Sequence, residues 1–342
     1  MFAIKIEKSK AQEIIAKLKE EKNIDNNYKI KRDESSVILP VLKITPDIKI
    51  FETQEEKLEI QKQVKKGYKD ILLEKGLDKD IVSKINSAYD IVGDIIVIGI
   101  DKEYTSYYPE IGEALLELHP NIKTVLNKIG EHKGIYRTQD MELVFGKDTR
   151  ETIIKENGCR IKIDVEKVFC STRLSEERRR IVDLVEPEET IGVFFAGAGP
   201  FALAIAKNKE VKEIIAIELN DLAVKYLIEN IKLNHTEEKI KPILGNVKIE
   251  AKKYPNYFDR VIMPLPKSAE LFLDSAIFSC KSGGYIHLYK FVSKDDPYTE
   301  TEKEIEEIAK TNRVNLEIVG KRIIRSYSPS IVQIVVDLRV RK

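Results

Sequence analysis

The sequence predicts an α/β protein with a mostly parallel sheet that ends in an antiparallel hairpin, preceded by two smaller α+β domains. A strand, a glycine turn, a helix and a second strand follow one another at residues 190–218. Strands and helices alternate from there to residue 311, and two β-rich runs, 314–324 and 331–340, follow. Alternation of this kind is typical of a Rossmann-like parallel sheet. We predict domains at residues 1–55, 56–166 and 167–342.

The first predicted domain is a small α+β module. Residues 2–6 alternate like a strand, Ala11–Leu18 has a helical apolar stripe, and Val37–Val41 is an apolar strand. Pro46 and the charged stretch Glu52–Lys57 predict a linker or a mobile boundary. A module of this size, tethered to a larger body, is predicted to recognise a partner.

The second predicted domain begins with a Lys-rich helix over residues 59–85. Tyr89–Ile100 is predicted as one buried strand with a bend or bulge at Gly93. A helix and a run of antiparallel strands follow, with a turn at Asn157-Gly158.

A helix then joins this domain to the third. Ser175 is the predicted N-cap, with Glu176 and Glu177 in the first turn, where the helix dipole favours negative charge. Capping alone is a sufficient reason for both glutamates.

The glycine turn predicts a nucleoside-binding unit. Ile191–Phe195 reads as a buried strand, Gly197 and Gly199 permit a close approach of backbone to ligand, and Pro200 opens the helix. Glu218 ends the next strand, 21 residues after Gly197, where a carboxylate binds ribose hydroxyls. This spacing fits NAD and S-adenosylmethionine (SAM) equally well.

The third domain's later elements favour SAM. Gly245-Asn246 follows the third strand, where an adenine ring would lie, and Pro264–Lys267 forms a rigid loop after the fourth strand. No His, Tyr or Lys constellation for hydride transfer follows the nucleotide unit. A functional loop there and a terminal hairpin suit a methyltransferase better than a dehydrogenase.

Composition sets further limits. The 342 residues carry a net charge of +1, so nucleic-acid binding would need local basic patches. We expect a monomeric cytoplasmic protein with no metal site and no membrane segment, because the start has no long apolar core and the cysteines and histidines form no ligand cluster. These are Cys159, Cys170, Cys280, His119, His132, His235 and His287.

Eight motifs, in order, resemble the archaeal tRNA methyltransferases that modify N1 of guanosine 37, beside the anticodon. The resemblance covers residues 88–342 and, more loosely, the N-terminal module. The motifs are YDIVGD (89–94), GIYR (134–137), KENG (155–158), S-x-R-L-x-x-E-R (171–178), FFAGAGPF (194–201), AIELN (216–220), LPK (265–267) and SYSP (326–329).

The resemblance implies SAM as cofactor, tRNA as partner and a role for each matched residue. Glu177 matches the general base that removes the N1 proton, and Arg137 matches the arginine that stabilises charge on O6. The N-terminal module is similar to a tRNA-sensing domain that contacts the outer corner of the tRNA. The implied cofactor-binding residues are Arg173, Phe195, Ala196, Gly197, Ala198, Gly199, Pro200, Glu218, Leu219, Asn246 and Pro264; the implied substrate-binding residues are Phe169, Tyr136, Pro264, Pro266 and Lys267.

The chain departs from the family pattern at three positions. Pro264 stands where many members have asparagine, Asn246 where Asp is usual, and Thr172 where proline is usual. Members with proline in this loop resemble a branch in which some enzymes also methylate C7 of 4-demethylwyosine at position 37, in wyosine biosynthesis. A second activity of this kind is therefore an alternative.

Three other classes stay open at this stage. A SAM methyltransferase of a small molecule or protein would show no salt-dependent tRNA binding. An NAD-dependent oxidoreductase would be stabilised by NAD rather than SAM. A catalytically inactive tRNA-binding protein is disfavoured by intact Glu177 and Arg137.

Overall fold

The computed structural model describes residues 2–25, 28–33, 35–43, 52–54, 66–134 and 138–342, with backbone alone at 52–54 and 131–133. The chain divides into two compact units, Met1–Ile71 and Leu72–Lys342. The domain boundaries expected at residues 55 and 166 stay a prediction. Within the described residues, no helix is long and apolar enough to cross a membrane.

In its described residues, the N-terminal unit has a four-stranded sheet with helix α1 (Ala11–Glu20) packed on it. The apolar stripe of the helix packs against the inner faces of the strands. Together they form a core around Ile4, Leu18 and Leu39. The strands lie in the order β2-β3-β1-β4. The elements are β1 (Phe2–Glu7), α1 (Ala11–Glu20), β2 (Lys31–Arg32), β3 (Ser36–Val41) and β4 (Glu52–Gln54).

Strand β4 corrects the prediction of a linker over Glu52–Lys57. Residues 52–54 pair antiparallel with β1. The charges that predicted a linker are compatible with this position, because β4 is an edge strand and edge strands tolerate charged residues. Pro46 and residues 55–57 lie outside the described residues.

The second unit begins with helices and a mixed four-stranded sheet in the order β5-β6-β7-β8. β6 and β7 are parallel, joined by a crossover helix, and the other pairs are antiparallel. A separate two-stranded hairpin, β9-β10, turns at Asn157-Gly158 as predicted. The elements are α2 (Tyr68–Glu74), which crosses the division between units, α3 (Lys79–Lys84), β5 (Tyr89–Val92), β6 (Ile95–Ile98), α4 (Tyr108–Leu118), β7 (Thr124–Lys133), β8 (Thr138–Gly146), β9 (Glu151–Glu156) and β10 (Cys159–Asp164).

Two predicted elements in this region are interrupted. The helix predicted over 59–85 is, in its described part, divided into α2 and α3 by a turn at Gly76, whose φ is 88°. The strand predicted over Tyr89–Ile100 is a hairpin that reverses at Gly93. A side chain at Gly93 would come within 2.1 Å of Thr152 Oγ1, so glycine is required for this turn to lie against β9.

The rest of the unit is one seven-stranded sheet in the order β13-β12-β11-β14-β15-β17-β16. The first five strands in this order are parallel, and β17 is antiparallel to both of its neighbours. This confirms the predicted parallel sheet with a terminal antiparallel hairpin. The elements are α5 (Ser175–Leu184), β11 (Thr190–Phe194), α6 (Pro200–Asn208), β12 (Glu213–Glu218), α7 (Asp221–Asn234), β13 (Ile240–Leu244), α8 (Val247–Glu250), β14 (Phe258–Met263), α9 (Leu273–Ser279), β15 (Cys280–Ser293), α10 (Thr299–Asn312), β16 (Asn315–Ser326) and β17 (Ile331–Arg341).

Helix α5 begins differently from the prediction. A short 3₁₀ turn, Thr172–Leu174, runs directly into it, so Leu174 occupies the N-cap position and no side chain caps the helix there. Ser175 is therefore the first helical residue, and its assignment as the N-cap was wrong.

Two asparagines of α7 bind the backbone of β10. Asn230 accepts from Lys162 N–H at 2.7 Å and donates to Lys162 C=O at 2.9 Å. Asn234 makes the same pair of bonds to Arg160, at 2.8 and 2.7 Å. Because the two side chains lie one helical turn apart, they satisfy successive outward-facing backbone groups of the strand. The hairpin is thereby joined to the seven-stranded sheet through α7.

Candidate active site

The predicted ligand-binding residues meet at one edge of the seven-stranded sheet. β11, β12, β13 and β14 are parallel and end at Phe194, Glu218, Leu244 and Met263. The segments that follow them therefore lie side by side, at the edge where open α/β sheets bind ligands.

The glycine turn between β11 and α6 has three residues with positive φ: Phe195 (58°), Gly197 (57°) and Gly199 (90°). A Cβ at Gly199 would lie 2.4 Å from Leu227 Cδ1, so this glycine is required for packing against α7. A Cβ at Gly197 would meet only the Phe169 carbonyl oxygen, at 3.8 Å. Gly197 therefore leaves open space beside the turn, as a bound ligand needs.

The Glu218 carboxylate is held against this turn. Its Oε2 accepts from Gly197 N–H at 2.7 Å, and its Oε1 accepts from Leu219 and Asn220 N–H, each at 2.8 Å. Each carboxylate oxygen has two acceptor sites, so Oε2 keeps one for a further donor. A ribose hydroxyl is such a donor, and the arrangement fits the nucleoside part of SAM.

Glu218→Gln is expected to weaken SAM binding by about 10- to 100-fold, because a hydrogen bond to a charged acceptor contributes about 1.5–3 kcal/mol. Isothermal titration calorimetry of the full chain would measure this. Glu237→Gln, at an exposed position on the same unit, is the matched control. Equal affinity in the wild type and Glu218→Gln would contradict the role of Glu218.

The other predicted cofactor residues differ in exposure: some are buried in the glycine turn and others lie on the surface. Ala196 and Ala198 are buried, and the Ala198 carbonyl already accepts from Asn230 Nδ2 at 3.1 Å. Leu219 is 42% exposed. Asn246 is exposed and caps α8, accepting from Lys248 N–H at 2.9 Å. Phe195 packs edge-on against Phe272, with ring centroids 4.9 Å apart.

Two backbone hydrogen bonds hold the loop after β14, whose rigidity stays a prediction from its two prolines. Leu265 N–H donates to Met263 C=O at 2.8 Å, which closes a three-residue turn centred on Pro264. Phe291 N–H of β15 donates to the Pro266 carbonyl at 2.8 Å. Pro266 is buried and Lys267 is exposed to solvent.

Glu177 is 3% exposed, and its carboxylate accepts four hydrogen bonds from described residues. Its Oε1 accepts from Tyr289 O–H at 2.7 Å and from Arg180 Nη2 and Nε at 2.7 and 3.2 Å. Among the residues that the structure describes, its Oε2 accepts only from Arg180 Nε, at 2.9 Å. Tyr289 follows Leu288, the register partner of Met263, so these contacts put Glu177 beside the carboxyl edge of the sheet.

Arg173 is held by a residue that sequence reasoning missed. Its Nε and Nη2 donate to Asp90 Oδ1 at 2.8 and 2.5 Å, and Lys128 donates to Asp90 Oδ2 at 3.2 Å. Burial alone would raise the pKa of Asp90, but the Lys128 and Arg173 charges outweigh it and lower that pKa. The YDIVGD motif therefore contributes the carboxylate that orients Arg173.

Arg178 has a structural partner from the KENG motif. It is 1% exposed, and its Nε and Nη2 donate to the two oxygens of Glu156 at 2.5 and 2.6 Å. Nη2 also donates to Ser171 C=O at 3.0 Å. The S-x-R-L-x-x-E-R motif therefore contributes the arginine, and the KENG motif the glutamate, of one buried ion pair.

Two predicted residues cannot be placed, since Arg137 and Tyr136 lie outside the described residues. Phe169 is 41% exposed and its backbone adjoins the glycine turn. Within the described ranges, no three His, Cys, Asp or Glu residues are grouped as metal ligands would be.

The sequence reasoning also missed Arg180, Tyr289 and Asp337. The spacing of three residues between Glu177 and Arg180 on one helix is a signal that could have found Arg180. Tyr289 and Asp337 lie on strands that are far from α5 in the sequence, and no local sequence pattern indicates their role.

The strand order, the glycine turn and the acidic end of β12 define a Rossmann-like methyltransferase fold. Models of three domains match the chain: the tRNA methyltransferase 5 N-terminal domain at residues 3–50, the TYW2 N-terminal domain at 68–149, and the TRM5/TYW2 methyltransferase domain at 152–317. With relatives more than 30% identical along nearly its whole length, the chain belongs to the TRM5/TYW2 family.

Two curated relatives and two solved structures illustrate the similarity. The chain is 38% identical to the tRNA (guanine(37)-N(1))-methyltransferase Trm5b of Pyrococcus abyssi, over 99% of both chains. It is 33% identical to the tRNA (guanine(37)-N(1))/4-demethylwyosine(37)-methyltransferase Taw22 of Nanoarchaeum equitans, over 70% of this chain and 97% of that protein. The crystal structure of Pyrococcus abyssi Trm5b matches with a TM-score of 0.74 at 36% identity, and the complex structure of aTrm5 and tRNALeu matches with a TM-score of 0.71 at 32% identity, each over 100% of both chains.

Proposed function

We propose that this protein transfers the methyl group of SAM to N1 of guanosine 37 in tRNA. The observation that carries the proposal is the 38% identity over 99% of the chain to a protein of that activity. The site supports it: an open glycine turn and the Glu218 carboxylate, with its one remaining acceptor position, lie at the ligand-binding edge of the sheet.

SAM supplies an electrophilic methyl group on a sulfonium. The residues of this chain would hold it with Glu218 at the ribose, the backbone of the turn from Phe195 to Pro200 at the methionine end, and Asn246 near the adenine. The guanine must leave its base stack to reach this site. The exposed ring of Phe169, beside the turn, is a suitable wall for it, together with Tyr136.

We assign proton removal to Glu177. Guanine N1 carries a proton at neutral pH, so methylation at N1 needs a base. Oε2 of Glu177 accepts a single hydrogen bond from the described part of the chain, and it is therefore the oxygen with an acceptor position left for the proton. Because Glu177 is 3% exposed, the purine reaches it only if surrounding side chains move apart. Arg137 is proposed to stabilise the charge that develops on O6.

The N-terminal unit is proposed to recognise the outer corner of the tRNA. Its lysines include Lys5, Lys8, Lys10, Lys29 and Lys31. Such contacts go to phosphates and give binding that weakens as salt rises. We propose that the protein acts as a cytoplasmic monomer.

Labelled SAM and unmodified tRNA transcripts test the proposed activity. With the full chain, transcripts with guanosine at position 37 should accept methyl groups, and nuclease digestion should yield 1-methylguanosine. Transcripts with adenosine at that position are the control and should accept none. Equal incorporation into both, or into neither, would overturn the assignment.

A second candidate activity is methylation of C7 of 4-demethylwyosine. Pro264 supports it, because proline lacks the side-chain hydrogen-bonding groups of the asparagine that many members have, and its turn is fixed by the Leu265–Met263 bond. The matching assay uses tRNA that carries 4-demethylwyosine. Absence of methyl incorporation would remove this second activity and leave the first intact.

A further inference from the structure

A buried line of charged and polar side chains crosses the sheet and ends at Glu177. Arg260 donates to both oxygens of Glu189, each at 2.8 Å, and to His287 Nε2 at 2.8 Å. His287 Nδ1 lies 2.6 Å from Asp337 Oδ1. None of these four side chains belongs to a residue more than 8% exposed. Buried charges of this kind persist only when they are paired.

Arg180 joins this line to Glu177 by binding two carboxylates at once. One edge of its guanidinium, Nε and Nη2, faces Glu177 at 2.7–3.2 Å. The other edge, Nη1 and Nη2, faces Asp337 at 2.6 and 3.1 Å. A planar guanidinium can make two such forked contacts, which an ammonium cannot. The positive charge of Arg180 is therefore shared between two anions.

The hydrogen bonds of His287 determine its tautomer. Arg260 can only donate, so His287 Nε2 accepts and Nδ1 carries the proton that is donated to Asp337. Burial lowers the pKa of His287, which keeps it neutral. Burial would raise the pKa of Asp337, but the hydrogen bonds from His287 and Arg180 outweigh burial and lower it to about 2. Asp337 is therefore an anion throughout the neutral range.

The proton balance of the proposed reaction gives Asp337 a role. When Glu177 removes the proton, the N1–H bond breaks, an O–H bond forms on the carboxylate, and the electron pair stays on the purine. Glu177 then becomes neutral and no longer compensates Arg180. A buried cation without a counter-ion is strongly unfavourable. Asp337 supplies the counter-ion that remains.

We propose that Asp337 is a positioning residue for methyl transfer. Because Asp337 takes part of the positive charge of Arg180, Glu177 can still accept the N1 proton. After Glu177 is protonated, Asp337 remains as the counter-ion of Arg180. This inference rests on the proposed base role of Glu177. Tyr289 of β15 also donates to Glu177. His287 of β15 contacts Asp337, and the charge of Arg178, the next residue of α5, is matched by Glu156 of β9.

The pH dependence of the single-turnover methylation rate tests this role. In Asp337→Asn, Glu177 is the one remaining anion among the described residues that contacts Arg180, so the positive charge of Arg180 favours the ionised form of Glu177 more strongly. The acid limb of the profile should then move to lower pH by about one unit, and the plateau rate should fall about tenfold. Arg180→Gln removes the cation, so its acid limb should move to higher pH. A purely structural defect would not produce opposite shifts.

Controls separate this inference from the base assignment. Asp259→Asn removes a carboxylate that pairs with Lys281 rather than with Arg180, and it should keep the wild-type profile. A wild-type profile for Asp337→Asn, with Glu177→Gln impaired, would overturn the positioning role and leave the base assignment standing. Full activity of Glu177→Gln would instead remove the base itself.

A third variant covers failure of Asp337→Asn to fold. His287→Leu removes the N–H that holds Asp337 Oδ1. Asp337 is then less firmly held against Arg180, so the acid limb should shift in the same direction by a smaller amount. An unshifted limb in folded His287→Leu would also overturn the proposal.

Discussion

Glu177→Gln is expected to lower the single-turnover rate of methyl transfer by about 10²–10⁴-fold, the usual contribution of a general base. Glutamine has nearly the same shape, and its amide oxygen can still accept from Tyr289 and Arg180, but it cannot take up the N1 proton. Arg180 keeps Asp337 as its counter-ion, so the variant should fold. The rate is measured with excess enzyme and labelled SAM, and SAM affinity should stay nearly unchanged.

Glu176→Gln is the matched control for this prediction. Glu176 is the preceding residue on the same helical turn, but it is exposed, whereas Glu177 is buried. Its substitution should leave the rate close to that of the wild type. A fully active Glu177→Gln enzyme would remove Glu177 from the mechanism, and equal losses in both variants would point to a defect of the helix.

Glu156→Gln is expected to lower the free energy of unfolding by about 3–5 kcal/mol, the range for breaking a buried ion pair by removing one partner. Arg178 is 1% exposed and its guanidinium is bound by both Glu156 oxygens. Glutamine keeps one acceptor but removes the compensating charge. Urea denaturation followed by circular dichroism measures the change.

Glu317→Gln provides the comparison at the surface. Glu317 accepts from Arg341 at 3.0 and 2.6 Å, but the side chains are 43% and 56% exposed. Exposed pairs contribute about 0–1 kcal/mol, so the unfolding free energy should change by no more than that. Equal losses for Glu156→Gln and Glu317→Gln would show that burial does not control the strength of the Arg178 pair.

The parallel sheet could be predicted from sequence because its evidence is local. Apolar runs, the glycine turn and Glu218 at the end of β12 each depend on a few neighbouring residues, and the structure brings them to one edge as expected. The errors occurred where a distant contact decides a local shape. Gly93 reverses the chain because β9 lies against it, and the charged Glu52–Gln54 segment pairs with β1 at an edge.

The candidate site divides in the same way. Gly197 and Glu218 were predicted from spacing and lie in direct contact. The partners of the functional charges could not be predicted, although two of the eight motifs contain Asp90 and Glu156. A motif shows that a residue type recurs at a position, but it does not show which other motif that residue contacts.

The sequence by itself determined the class of fold, the turn that faces the ligand and the residues matched to a methyltransferase family, because these follow from periodicity, glycine positions and short motifs. The tertiary structure alone decided that Glu177 is buried against Tyr289 and shares Arg180 with Asp337, 157 residues further along the chain than Arg180. The physical reason is that the partner of a buried charge depends on which strands lie side by side, and that arrangement is determined by long-range pairing and packing.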